Sequence, residues 1–510
     1  MSFKPFSRGS DNIKMFSLKS KRSQSALEYM MTYGWAILII VIVAVILYSM
    51  GIFNPSSSIT FTSSGFSPFT VSSSLCNNLG YKIAVLAGPI PNNANSLTIS
   101  KVYLTSATGA NATTASYTLT NPVTLKSGQS ATILIPNVAC NAANIHYSIS
   151  ANIQYSYTAS TLGLQTVNTT GTVAGTSISG KPSVLTSYEP LTITNSQSTA
   201  TPNPFQQMVN FTSSDPGWTS ISTSNFGQNV EFFYYNGTVI PSWLQNYTSD
   251  NATWWLKIAA IPAGSSETVY VGFAPTSTNL FNTVNDGEAP QIPCGSTPTS
   301  SCSNYAEYDD GATVFPEFYN NFAGTALNGF SGGTYTIDNG ITIKDDGSMT
   351  STSQIPDSNT AITIFGLFDS AGATPTDDGY ALGYDFTDGG GATGLIYNIN
   401  SNSNIVYCLN YDKNETYGAS NLIVNKTGYY SLYSIYKTDN LTTDFYFNNG
   451  FECGGSWLNG NPYYSLFSPT SSFQFYTQIT STAYEYWQYI FARSLPPNTI
   501  MPSITFGNIA

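Results

Sequence analysis

At 510 residues the chain is too long for one ordinary domain, and its length allows an anchor and about three modules, each able to bury a core. Only 9% of residues are charged, while Tyr, Phe, Ser, Thr, Asn and Gly are abundant, a composition suited to strands and turns. The net charge of −12 argues against a nucleic-acid partner, since phosphate binding needs clustered Lys and Arg, and one histidine, His146, argues against a His-based zinc site.

The first predicted element is an apolar helix. No charged residue occurs between Tyr29 and Tyr81, and Trp35 to Leu47 is an unbroken apolar run extended by Met30, Met31, Tyr48, Met50, Ile52 and Phe53. At 1.5 Å per residue, a helix from Met30 to Phe53 spans roughly 36 Å, enough for a ~30 Å hydrocarbon core. Lys14, Lys19, Lys21 and Arg22 precede the run, so the positive-inside rule keeps the N-terminus cytoplasmic and places everything after about Asn54 outside. The expectation is a single-pass protein of the cell membrane with an extracellular ectodomain.

Lys21-Arg22-Ser23-Gln24-Ser25-Ala26-Leu27-Glu28-Tyr29 resembles the class III, prepilin-type signal of archaeal type IV pilin-like proteins. The resemblance implies a basic leader over 1–23, cleavage between Ser23 and Gln24, and a retained transmembrane, pilin-like helix over 24–53. Glu28 would be the fifth mature residue, where a carboxylate at the edge of an apolar helix can pair with a neighbouring subunit's amino terminus. Its competing reading is a charge in the cytoplasmic headgroup layer, where it costs little.

Beyond the linker Ser56 to Ser58, alternating segments such as Tyr81-Lys-Ile-Ala-Val-Leu-Ala and Ala131-Thr-Ile-Leu-Ile-Pro predict short strands separated by Asn, Gly and Pro turns. A membrane-proximal β-sandwich is expected over 59–180. A second module, 188–290, runs through Leu191-Thr-Ile-Thr-Asn, Val230-Glu-Phe-Phe-Tyr-Tyr, Thr253-Trp-Trp-Leu-Lys-Ile, Ile261-Pro-Ala-Gly and Thr268-Val-Tyr-Val-Gly-Phe. That order resembles the DUF2341 domain of archaeal and bacterial surface proteins, which implies a second β-sandwich and no particular reaction. Trp243, Trp254 and Trp255 read as core residues, with sugar stacking as the alternative.

Tyr305-Ala-Glu-Tyr-Asp-Asp-Gly-Ala-Thr-Val-Phe and the closing segments Ala492-Arg-Ser-Leu-Pro-Pro-Asn and Met501-Pro-Ser-Ile-Thr-Phe-Gly resemble the passage of such proteins into a concanavalin A-like, LamG-type jelly roll, placed at 305–510. The fold class expected is therefore an all-β ectodomain, tandem β-sandwiches ending in a jelly roll, on one N-terminal transmembrane α-helix.

Six cysteines form three local pairs, Cys76 with Cys140, Cys294 with Cys302, and Cys408 with Cys453, although sequence alone leaves the connectivity open. Sequons at Asn111, Asn168, Asn210, Asn236, Asn246, Asn251, Asn414, Asn425 and Asn440 are glycosylation candidates, and a chain rich in Asn, Ser and Thr also makes some by chance. Asp309-Asp310, Asp345-Asp346 and Asp377-Asp378 beside Gly-rich turns offer oxygen ligands for Ca²⁺ in the jelly roll, or are ordinary turn residues; no other cofactor is expected.

No Gly-x-Ser-x-Gly elbow, P-loop, His-Glu-x-x-His helix or strand-borne pair of acids occurs, so the chain reads as a non-enzyme. The preferred function is a membrane-anchored or pilus-associated adhesin that recognises glycans or surface partner proteins through the jelly roll. Candidate contacts are Asp377, Asp378 and Tyr380 in one loop and Asn448 and Asn449 in one turn. The alternatives are a structural envelope or filament component, with pilin-like subunits as partners, and a surface glycoside hydrolase.

Overall fold

The computed structural model describes residues 33–34, 37–39, 41–42, 61–91, 94–111, 116–136, 138–140, 142–294, 302–333, 335–343, 348–352, 355–356, 359–369, 378–384, 392–400, 403–412, 415–416, 431–437, 442–448, 450–456, 470–471, 473–478 and 484–510. Of the expected membrane span, Tyr33, Gly34 and residues 37–39 and 41–42 are helical and exposed. The rest of it, with Ser23, Gln24 and Glu28, lies outside the described residues. Among the described residues no helix is long and apolar enough to cross a membrane.

The chain divides into two compact units, Met1–Ser179 and Gly180–Ala510. The first is a β-sandwich. A five-stranded sheet runs in the order Thr62–Gly65, Gly163–Thr176, His146–Ala159, Leu97–Thr108, Ser116–Leu125, and a three-stranded sheet in the order Phe69–Asn77, Gly80–Ala87, Ser130–Ile135. Strict alternation explains the pairing of faces: along His146–Ala159 the residues Tyr147, Ile149, Ala151, Ile153 and Tyr155 are buried and their neighbours are not. They meet Val71, Ile83 and Val85 of the smaller sheet in one core. A disulfide joins the buried Cys76 and Cys140 within it.

The second unit opens with another sandwich. One sheet has the order Phe205–Thr212, Asn251–Ile258, Ser242–Tyr247, Asp286–Glu288; the other has the order Val230–Tyr234, Ser265–Phe273, Ser187–Asn195, Ser503–Phe506. Here the structure differs from the sequence-based boundaries. Ser503–Phe506, expected to close the jelly roll, pairs antiparallel with Ser187–Asn195, Phe506 opposite Leu191 and Ile504 opposite Ile193. The cause is apolar: Ile504 and Phe506 pack on the sandwich core, and the Phe506 ring meets Phe211 at 4.7 Å. The added strand also covers what would be an open sheet edge.

Between those strands lies the jelly roll, two antiparallel sheets face to face. Eight strands form one sheet, in the order Tyr335–Ile337, Ile341–Ile343, Tyr484–Ser494, Thr360–Asp369, Ser431–Lys437, Thr442–Phe447, Gly450–Ser456, with Phe318–Asn320 also on Tyr484–Ser494. The other has seven, in the order Phe330–Gly332, Ser348–Ser351, Phe473–Gln478, Asp378–Tyr384, Ala392–Asn400, Ser403–Asp412, Glu415–Thr416. Ile341, Ile362, Ile435 and Trp487 of the first meet Met349, Phe473 and Phe475 of the second. Tyr484–Ser494 is buried on both faces, which is why it reads as a nearly continuous aromatic and aliphatic run. Trp487, Ile490 and Ala492 enter the jelly-roll core, whereas Tyr489 and Phe491 pack with Trp243, Trp255, Phe315 and Leu432 against the preceding sandwich.

Candidate functional site

Two polar features accompany that seam. At its centre Asp309 accepts hydrogen bonds from Trp243 Nε1 (2.9 Å), Gly311 N (2.9 Å), Tyr319 Oη (2.7 Å) and Asn321 Nδ2 (2.6 Å). Burial pushes the Asp309 carboxyl above the usual range, and these donors pull it back. Its lone pairs are thus consumed by the protein. Asp310, 2% exposed, has no hydrogen-bond partner on either oxygen, and Gly287 leaves no room for a Cβ against its Oδ1. Burial, then the charges of Asp309 and Asp286, push Asp310 up to about 9. Among the described residues no group of three or more His, Cys, Asp or Glu lies together to hold a metal. Asp345, Asp346 and Asp377 lie outside the described residues.

At one end of the seam the chain leaves Tyr484–Ser494 and turns through Leu495 to Thr499. Arg493, 2% exposed, fixes this exit: its guanidinium lies 4.9 Å from the Trp255 ring centroid and 5.1 Å from that of Tyr436, whose hydroxyl Nη2 reaches at 2.8 Å. Beyond it opens a groove of about 680 Å³, lined by Thr199, Ala200 and Pro202 on one side and by Asn359, Asp444 and the Leu495–Thr499 turn on the other. Asn498 Nδ2 donates to Gln197 Oε1 (2.8 Å) across the two walls, and Leu495 N donates to Asn359 O (2.8 Å). Asn359 and Asn498 sit at φ 53° and 55°, the left-handed region Asn tolerates, so their carboxamides stand at turn apices. Burial raises the Asp444 carboxyl above its ordinary value. A concave surface of amides, hydroxyls, one carboxyl and three proline rings offers both the polar partners and the flat apolar contacts that a neutral polyhydroxylated ligand uses.

The sequence-derived contacts fall elsewhere. Asn448, at φ 47°, exchanges two hydrogen bonds with Leu432, its Oδ1 and its N–H each at 2.9 Å, so its amide ties a hairpin connection. Asp378 and Tyr380 belong to Asp378–Tyr384 in the other sheet, opposite Ile399 and Tyr397, and Asp377 and Asn449 lie outside the described residues. The structure does not bring these two groups together. Asp444 and Asn498 carried no motif; the available signal was an acid at the start of the alternating run Asp444-Phe-Tyr-Phe.

Trp243, Trp254 and Trp255 are all buried and present no face to a sugar. Cys294 and Cys302 are joined. Cys408 and Cys453 lie on strands of different sheets, and their side chains are outside the described residues. Of the sequons, Asn111, Asn168, Asn210, Asn236 and Asn251 are exposed and Asn246 is half-buried; Asn414, Asn425 and Asn440 lie outside the described residues.

No protein-family model matches the chain. It is 26% identical over 360 residues to a protein of Sulfolobus islandicus rod-shaped virus 1 described as uncharacterized protein 562, a match covering 63% of this chain and 59% of that protein. Among solved structures, β-agarase A from Zobellia galactanivorans is similar with a TM-score of 0.28 and 9% identity, over 35% of this chain and 90% of the agarase. The Emp46p carbohydrate recognition domain is similar with a TM-score of 0.24 and 9% identity, over 32% of this chain and 88% of that domain. At such TM-scores the likeness carries no argument about activity.

Proposed function

We propose that this is a surface protein, held in the membrane or in a pilus-like assembly by its N-terminal helix, whose second unit binds neutral glycans. The observation that carries the reading is the groove between the Thr199–Pro202 loop and the Leu495–Thr499 turn. Its polar groups, Asn359, Asp444, Asn498 and Thr499, surround the turn that follows Arg493, whose guanidinium packs on Trp255 of the aromatic seam. The prepilin-type and DUF2341 resemblances support an outward-facing location. Binding is favoured over hydrolysis because Asp444 is the single carboxylate among the lining residues, whereas glycoside hydrolysis uses two.

A glycan array probed with the full-length protein in detergent tests the reading. Binding to at least one neutral glycan, weakened tenfold or more by Asp444→Asn at unchanged thermal midpoint, is the expected result. A second reading, a structural component without ligand, draws on the same buried seam, which suits a stiff spacer; absence of binding to every glycan on the array would favour it.

A further inference from the structure

The sheet that contains Asn251–Ile258 has a core face and an outward face, and the register assigns its residues between them. Tyr247, itself 43% exposed, stacks at 4.4 Å on Phe226 of the sandwich core, and Ala252, its cross-strand partner, is buried in that core. The residues in between therefore face outward. One outward row is Met208, Trp255 and Trp243, covered by the jelly roll. The next row is Asn210, Thr253 and Asn246, and the one after it contains Thr212 and Asn251. The jelly roll thus covers one end of this face. Three asparagines occupy the other.

Each opens an Asn-x-Thr tripeptide, with Thr212, Thr248 and Thr253 as the hydroxyl residues. Asn210 and Asn251 are exposed and Asn246 half-buried. Asn210 Oδ1 accepts Thr253 Oγ1 at 3.0 Å, which orients the carboxamide and leaves Nδ2 for another substituent. We propose that Asn210, Asn246 and Asn251 form one N-glycosylated patch, rooted on adjacent strands at the uncovered end of the sheet. The proposal rests on the surface location given above.

The co-reactant is a lipid-linked oligosaccharide. Nδ2 of each asparagine attacks the anomeric carbon, a C–N bond forms, and the bond from that carbon to the lipid phosphate oxygen breaks. The phosphate leaves with the bonding pair, and the Nδ2 proton passes to a base of the transferase. Thr253 is buried in the folded chain, so transfer to Asn251 precedes pairing of its strand. Strand spacing places the Asn210 and Asn246 backbones roughly 10 Å apart across Asn251–Ile258, room for two sugar chains side by side. The patch supplies hydration to a surface that 9% charged residues leave poorly solvated.

The test is glycopeptide mapping by mass spectrometry on native full-length protein. All three asparagines should carry glycan, and Asn210→Gln, Asn246→Gln and Asn251→Gln should each remove one glycan mass. Thr253→Ala should empty Asn251 alone, and Thr253→Ser should restore it. Bare Asn210, Asn246 and Asn251 beside glycosylated Asn111, Asn168 or Asn236 overturns the patch and leaves the surface location standing. Bare asparagines at all six overturn the patch, and protease added to intact cells then shows whether the location falls with it.

Discussion

Trp243 and Asp309 are joined by one hydrogen bond, indole N–H to carboxylate at 2.9 Å, and it links a central strand of the second sandwich to the loop that opens the jelly roll. Trp243→Phe keeps a ring edge-to-face on Phe315 and Tyr489 but removes both the donor and part of the volume of a fully buried indole, which should cost about 2 kcal/mol. Asp309→Ala strands four donors and should cost about 3 kcal/mol or more. Urea midpoints of the two variants check the order; equal losses would show that the polar node contributes nothing beyond packing.

The stability of the second unit should be greatest in acid. Burial pushes Asp286 up to about 8, with Glu231 adding to it and Asn282 opposing. Burial also pushes Glu288 up to about 8, with Glu307 and Asp309 adding, and Asp310 up to about 9. In the unfolded chain these groups titrate at about 4. Between those values the folded state holds protons that the unfolded chain has released. This contribution is therefore complete below about pH 4 and is lost as pH rises through the folded values. Scanning calorimetry from pH 4 to pH 9 should show a falling midpoint, and Asp310→Asn should flatten the decline. A midpoint that rises over that range would refute the assignment.

Removing the Cys76–Cys140 bridge by a double substitution to Ser should destabilise the first unit by about 4 kcal/mol in the chain-entropy model, given a sequence separation of 64. Proteolysis of the reduced and oxidised protein reads the effect, with new cuts confined to 61–179.

Phe506→Ala should cost about 2 kcal/mol through the lost Phe211 contact, although it lies far in sequence from the sandwich it supports. Removal of the jelly roll for a binding test must for the same reason keep 503–510. A truncation at Tyr305 uncovers Trp243, Trp255, Leu191 and Ile193 together, and insolubility of that fragment is the expected outcome.

Much of this architecture is legible locally. Alternation in segments such as Tyr81-Lys-Ile-Ala-Val-Leu-Ala marks one-sided strands, because a period of two has only one cause in a sheet with a wet face. The run around Trp487 announces a strand buried on both sides without saying what covers the second face. The return of Ser503–Phe506 to Ser187–Asn195 is invisible in sequence, since a short alternating segment fits any open edge. The groove was missed for a related reason: Asn359, Asp444 and Asn498 come from separate turns and strand ends, and only tertiary packing gathers them.

The pairing of Ser503–Phe506 with Ser187–Asn195 also decides how the second unit meets tension. The strands run antiparallel, and Ala510 and Tyr188 close the ladder with two backbone bonds of 2.8 and 3.0 Å. If the proposed function holds, a ligand at Leu495–Thr499 would pull on the start of one strand, and a tether entering at Ser187 would pull on the start of the other. In an antiparallel pair those starts lie at opposite ends, so the ladder is sheared along its length and its bonds resist together instead of unzipping one by one. Under the proposed function the sandwich would then act as a clamp in series between tether and ligand, and the jelly roll's own strands would not need to unravel under load.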